Sequence, residues 1–424
     1  MGEDSKLGAK IKSQITRFAG RLTEGMDKVE RRFVAEMLYG IQASKDVKVS
    51  EVARSLQEDI ALIKTENRLC RNLASEDLTG RVNRWTAWEG SGAVEEDTVL
   101  ALDLGDVRKN YAKKMEYLGE VHDGSTDEIV AGYWLCEVIA ADPYAEKVSP
   151  LYGELYAQKA ESFDSENDQL LKAIGLVSTA TEKKGIWAID IGGDRRKIII
   201  PLLDSQLRFV IRQQGDRHIL LPRGTKRSVE EASRWCRSSF EKIVEVEREG
   251  HVEKKHLKMG LLGVRLPERP DIPLWLVVIR GLAPHPIFLL TSVAPKPGTE
   301  HAEWIADIYL TRWKCEEAYR FIKQSYHLED VRVRSYIALR NTYALVHAIF
   351  YFVSVVIGTK AKLNLIFKKV CEKAKRFYEV TAFFQYAIAD GIHRLLFASR
   401  TGPHEPPVRP VTGQLAFDFL NPLL

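Results

Sequence analysis

A chain of 424 residues with 45% hydrophobic and 28% charged content can bury a large core and is long enough for two or three domains, which excludes a disordered or low-complexity protein. The net charge of +4 permits nucleic-acid binding without requiring it, but positive charge gathers in mid-chain, where eight Arg or Lys stand against three acids between Arg208 and Arg237. Five scattered cysteines (Cys70, Cys136, Cys236, Cys315, Cys371) with no CxxC pair argue against a zinc cage or disulfide framework and suit a reducing compartment.

The polar opening MGEDSKLGAKIKSQ has no apolar h-region, so no secretory signal is expected, and the expected location is cytoplasmic. Apolar spacing predicts helices to about residue 85. Within them VKVSEVARSLQEDIALIKTENRLCRNLAS offers Ser50 and Thr65 as N-caps for two short helices in helix-turn-helix outline, with Arg54, Lys64, Arg68 and Arg71 giving a basic surface. Strands are expected in DTVLALDLGD, ending at Asp103, in IVAGYWLCEVIAAD and in AEKVSPLYGELY. A helix starts at Ser165, where Asp168 completes a capping box, and carries the stripe Leu170, Leu171, Ile174 and Val177. The strand GIWAID ends at Asp190, a loop and helix follow, and LRFVIRQ is the next strand. From about Gly215 to Ser292 short runs such as PLWLVVIRG and PIFLLTSV alternate with Gly and Pro, a β-rich insertion. It opens with LPRGTKR, whose Arg223, Lys226 and Arg227 flank turn-forming Pro222 and Gly224 and are phosphate-contact candidates.

One long helix is expected from an N-cap at Thr299 to about His327. In it Tyr309, Arg312, Glu316 and Lys323 recur at steps of three, four and seven, which at about 100° per residue places them on one side. The apolar run YALVHAIFYFVSVVIG reads as a buried core helix rather than a membrane span, because it falls short of about 20 residues and contains His347. After further helix comes the Pro-rich TGPHEPPVRPVTG and an apolar tail, QLAFDFLNPLL. The segments are 1–90, helical; 91–214 and 295–398, the two parts of an α/β core, the second with the C-terminal helices; 215–294, the β-rich insertion; and 399–424, linker and tail.

Asp103 and Asp190 at strand ends and Glu316 on a helix packed against them form an oxygen-only donor set, which suits magnesium or manganese. Two such ions can activate an attacking hydroxyl and stabilise the leaving oxygen of a phosphoryl displacement.

The spacing Y-x2-R-x3-E-x6-K resembles the YREK signature of DDE transposases of the insertion-sequence-four type, and RWKCEEAYRFIK resembles its extended form. AIDIGGDRR with RFVIRQQGDR resembles the second-aspartate region of that family, and LALDLGD its first. The resemblance spans roughly Asp97 to Ala338. It implies a ribonuclease-H-like mixed sheet flanked by helices, interrupted by a β-rich insertion and preceded by a helical region, 1–90, that binds the DNA ends. It further implies Asp103, Asp190 and Glu316 as catalytic ligands of two Mg2+ or Mn2+ ions, with Tyr309, Arg312 and Lys323 as contacts to the element ends. The implied activity is cleavage at mobile-element ends and strand transfer into target DNA, by a homodimer on double-stranded DNA at the bacterial nucleoid. Where many relatives follow the first aspartate with Thr, this chain has LGD, so Asp106 stays a rival for the first ligand; Phe288 stands near where some relatives carry a base-stacking Trp. The alternatives are a metal-dependent nuclease on the same fold and an inactive, domesticated DNA-binding protein. Gln414, Phe417 and Phe419 in the tail resemble the peptides by which bacterial proteins dock on the replication sliding clamp.

Overall fold

The computed structural model describes residues 3–124, 126–248, 251–295, 300–357, 385–399 and 402–403. The expected N-cap Thr299, the Pro-rich linker apart from Gly402 and Pro403, and the Gln414–Phe419 segment lie outside them.

Five helices lead: α1 (Glu3–Leu22), α2 (Lys28–Ser44), α3 (Val49–Leu56), α4 (Leu62–Leu73) and α5 (Thr79–Ser91). The two short helices expected in mid-bundle are present, but neither uses its expected cap. α3 starts after Lys48 and α4 after Ala61, without side-chain caps, and Thr65 lies inside α4, where its hydroxyl donates to Glu58 at 2.6 Å. Part of the basic surface is also neutralised, since Arg68 pairs with Glu36 and Glu58 and Arg54 pairs with Glu51.

The core sheet follows: β1 (Val99–Arg108), β2 (Gly119–Asp123), β3 (Glu128–Asp142), β4 (Ala145–Tyr156), α6 (Glu166–Ala180), β5 (Ile186–Ile189), α7 (Arg196–Asp204) and β6 (Phe209–Arg212). β4, β3 and β1 are antiparallel neighbours, while β5 and β6 run parallel to β1 on its other side. This is the ribonuclease-H-like mixed sheet expected. α6 begins at the expected Ser165 cap, whose Oγ accepts from Asp168 N, but the expected capping box does not close: the Asp168 carboxylate accepts from the Ser165 hydroxyl instead of its backbone amide.

The strand-rich segment holds β7 (His218–Leu220), β8 (Lys226–Ser228), α8 (Val229–Ser233), β9 (Phe240–Arg248), β10 (His251–Leu266), β11 (Arg269–Arg280) and β12 (Ile287–Thr291). It is stitched into the core, because β12 pairs antiparallel with β6 and β11, giving one 12-stranded sheet. Phe288 on β12 is buried in that sheet's core and so offers no face for an unstacked base.

Alternation along β1 distributes its side chains to two cores. Leu100 and Leu102 join Trp187, Ile189, Leu170, Ile174 and Val177 beneath α6 and α7. Val99 and Ala101 face the cluster of α9 (His301–Thr311), α10 (Trp313–Tyr326) and α11 (Tyr336–Tyr351), where Ile305, Ile308, Ala318 and Ile322 are fully buried. The expected single helix is therefore two. At Arg312 the backbone stays in the right-handed helical region (φ −53°, ψ −31°) but tightens: Arg312 N bonds Tyr309 O at 3.1 Å and Cys315 N bonds Arg312 O at 2.8 Å.

Asn341 on α11 ties the amino-terminal bundle to the core, accepting from Leu78 N (2.7 Å) and donating to Leu73 O (2.9 Å) and Glu76 O (2.6 Å). α11 continues as a π-helical turn, Phe352–Ile357, and α12 (Gln385–Ser399) packs on α1 and α2. Tyr336–Ile357 has the length and composition to cross a membrane, yet 89% of its apolar window is buried inside the fold, as a core helix would be.

Candidate active site

Strand register brings the first two carboxylates together. In the parallel β1–β5 pair Leu102 lies opposite Ile189, so the next residue on each chain path is an aspartate, Asp103 and Asp190. Asp103 is not at a strand end as the sequence suggested: β1 runs on through Arg108, because LGDVR continues the antiparallel ladder with β3. Asp103 continues the Val99, Ala101 series and so meets α10. Asp190 does end its strand, and its Oδ1 accepts from Gly192 N at 2.9 Å, which caps the short 3-10 turn Ile191–Gly193.

Glu316, in the first turn of α10, supplies the third carboxylate, with half its side chain exposed. Between it and Asp103 sits the buried Arg312. Its Nη1 is 3.1 Å from Asp103 Oδ2, its Nη2 donates to Glu316 Oε1 at 2.9 Å, and its guanidinium lies 5.9 Å from the centre of the Tyr309 ring. Burial pushes the Asp103 carboxyl up to about 7; Arg312 opposes that shift, and the charges of Asp190 and Glu316 add to it. Burial works against the charged form of Arg312, yet Asp103, Tyr309, Glu316 and Asp190 together raise its pKa. The three carboxylates thus share one field with the arginine at its centre. Among the described residues no group of three or more His, Cys, Asp or Glu side chains is close enough to hold a metal ion, because the guanidinium occupies the space between two of the three carboxylates.

Asp106 takes a different partner. Lys323 Nζ is 3.1 Å from Asp106 Oδ2 and 3.3 Å from Glu329 Oε1. The polar row read on one helix therefore divides: Tyr309 and Arg312 are buried together beside Asp103, and Lys323 lies further along β1.

Tyr319 fixes the helix to the strand. Its hydroxyl donates to the Asp103 carbonyl at 2.6 Å, and its ring lies where a Cβ on Gly105 would come within 2.9 Å, so only glycine leaves room for it. Glu137, directly opposite Asp103 in the β1–β3 ladder, is fully buried; Tyr343 donates to its Oε1, its Oε2 has no partner among the described residues, and burial pushes its pKa up to about 8. Sequence reasoning missed both residues. The lone carboxylate inside the apolar run of β3 was the available signal for Glu137; nothing local marks Tyr319.

Arg223, Lys226 and Arg227 are exposed on the β7–β8 hairpin, whose turn uses Gly224 at φ +81°. The hairpin is anchored to the loop behind Asp190: Asp194 accepts from Gln214 N at 2.7 Å and pairs with Arg217.

No curated protein matches this chain. A solved structure similar to it is a cryo-EM structure of the piggyBac transposase synaptic complex with hairpin DNA, at 11% identity and a TM-score of 0.44, covering 96% of this chain and 82% of that one. Residues 167–352 match the family model of the transposase DDE domain, a span that includes Asp190 and Glu316 and begins after Asp103.

Proposed function

We propose that this protein is a DNA transposase that cuts at the ends of a mobile element and joins the freed 3′ hydroxyls to target DNA, acting as a homodimer at the bacterial nucleoid. The observation that carries this reading is the side-by-side placement of Asp103 and Asp190 on adjacent parallel strands, with Glu316 coupled to Asp103 through Arg312. The match of residues 167–352 to a transposase DDE domain supports it.

The donor set, carboxylate oxygens only, suits magnesium or manganese, which Asp103, Asp190 and Glu316 would hold once Arg312 withdraws from between Asp103 and Glu316. Two such ions, when bound, supply activation of the attacking hydroxyl and stabilisation of the leaving oxygen. The protein's own groups prepare for that chemistry. Arg312 balances two clustered carboxylates, the Gly192 amide orients Asp190, and Tyr319 holds β1 against α10. Lys323 and the hairpin residues Arg223, Lys226 and Arg227 hold DNA phosphates. Arg312 and Tyr309 contact DNA only once Arg312 leaves Asp103. The Gln414–Phe419 segment docks on the sliding clamp.

The test is Glu316→Gln in purified protein given magnesium and DNA carrying the element ends. Cleavage is abolished while end binding persists, because the change removes a ligand charge and keeps the side chain's shape. Substantial magnesium-dependent cutting by this variant overturns the reading. Cleavage by the wild-type protein without any joined product makes it a nuclease.

A further inference from the structure

Beyond Asp106 the β1 chain enters a loop, residues 109–115, that faces the segment 329–334 following α10 across a cleft of ≈ 680 Å³. The cleft is built rather than incidental. The Glu116 amide donates to Arg334 O at 3.0 Å, the Tyr336 amide to Glu116 Oε2 at 2.7 Å, and the buried Lys109 Nζ to Glu329 O at 2.6 Å and Leu328 O at 3.3 Å. These bonds fix the two walls relative to each other.

The charge in the cleft is one-sided. Its two acids are already engaged: Glu329 by Arg108 at 3.1 Å and Lys323 at 3.3 Å, and Asp330 by Lys48 at 3.2 Å. Lys113, Lys114, Arg332 and Arg334 are exposed, and among the described residues none of them forms an ion pair. Four unneutralised cations on two facing walls create a field suited to a polyanion threaded between them. Beside them Tyr111 is 97% exposed, an aromatic ring with no ring partner among the described residues. An exposed ring next to phosphate-binding cations is the arrangement that holds a single nucleic-acid strand, since only an unpaired base offers a free face to stack. The cleft also leads to the site, because Lys323 bridges Glu329 on its wall to Asp106 on β1.

We infer that this cleft binds a single-stranded stretch of DNA adjoining the scissile end, with Lys113, Lys114, Arg332 and Arg334 on its phosphates and Tyr111 stacked on a base. The inference rests on the transposase reading and adds to it the strand's path away from Asp103 and Glu316.

The experiment compares binding of the full chain, by fluorescence anisotropy over a range of salt, to a blunt DNA duplex and to the same duplex with a single-stranded 3′ extension. Wild-type protein binds the extended probe more tightly. The combined Lys113→Ala, Lys114→Ala, Arg332→Ala and Arg334→Ala variant loses that preference, and its slope of log affinity against log salt on the extended probe falls by up to about 3, from four phosphates at ~0.7 each. Tyr111→Ala loses about tenfold on the extended probe alone, as removal of one stacked base requires. Circular dichroism establishes that these surface variants fold. If the wild-type protein binds DNA but the variants bind both probes as it does, or lose blunt and extended probe equally, the cleft is not a strand site and the transposase reading stands. If the wild-type protein binds neither probe, that reading falls and the strand site with it.

Discussion

Arg312 Nη1 lies 3.1 Å from Asp103 Oδ2, an ion pair closed off between β1 and α10. Removing one partner of such a pair strands the other charge, at a cost of roughly 3–5 kcal/mol. Arg312→Ala is expected to lower the melting temperature accordingly, and millimolar magnesium should raise it more in the variant than in the wild-type protein, since a cation then balances Asp103 and Glu316. Thermal melts with and without magnesium chloride check this. Equal magnesium effects on the two proteins would show that the guanidinium holds no cation position.

The two aspartates of β1 should separate in a cleavage assay. Asp103 lies beside Asp190 and is bound by Arg312, whereas Asp106 is bound by Lys323. Asp103→Asn is expected to be as severe as Glu316→Gln, and Asp106→Asn milder. The reverse order would move the first ligand three residues along the strand.

Gly105 and Tyr319 form a tight joint. A Cβ at position 105 would stand 2.9 Å from the Tyr319 ring, so Gly105→Ala should cost roughly 1–3 kcal/mol by overpacking. Tyr319→Phe keeps the ring and loses the bond to the Asp103 carbonyl, at about 1 kcal/mol. Urea denaturation midpoints measure both, and adding Tyr319→Leu to Gly105→Ala should recover part of the loss. A double variant no more stable than Gly105→Ala would place the clash elsewhere.

His347, fully buried on α11 with neither ring nitrogen hydrogen-bonded, is held neutral: burial lowers its pKa from 6.5 to about 3. As pH falls the unfolded chain takes up this proton first, so stability present above 6.5 is lost progressively until about 3. His347→Leu removes that dependence. The stability of the wild-type protein relative to the variant should therefore be about 2 kcal/mol smaller at about pH 5 than at about pH 7. A difference that stays constant with pH would mean the imidazole is not confined in its neutral form.

Elements built from local pattern were legible in the sequence. β4 matches its expected span AEKVSPLYGELY, and α6 its Ser165 cap, because alternation and capping are properties of neighbouring residues. The break at Arg312 was not, since no Pro or Gly marks it and the guanidinium is drawn inward by Asp103, distant in sequence. Asp103 read as a strand end for a related reason: the ladder with β3 carries LGDVR further than its own composition suggests. The carboxylates themselves could be named from residue type and order, but Tyr319, Glu137 and the cleft beyond Asp106 arise only when remote segments meet. Lys109 and Glu329 stand 220 positions apart.

The pairing of β12 with β6 has a consequence for engineering. The chain leaves the core sheet at Gln213 and pairs with it again at β12, which caps the hydrogen-bonding edge of β6: Gln213 N donates to Phe288 O at 2.8 Å, and the Thr291 side-chain Oγ1 to Phe209 O at 2.7 Å. Excising the excursion through β12 would not yield a minimal α/β core. It would leave β6 as a naked, apolar edge, a template for adhesion to other copies. A trimmed version has to keep β12 and splice it back to β6 with a short turn.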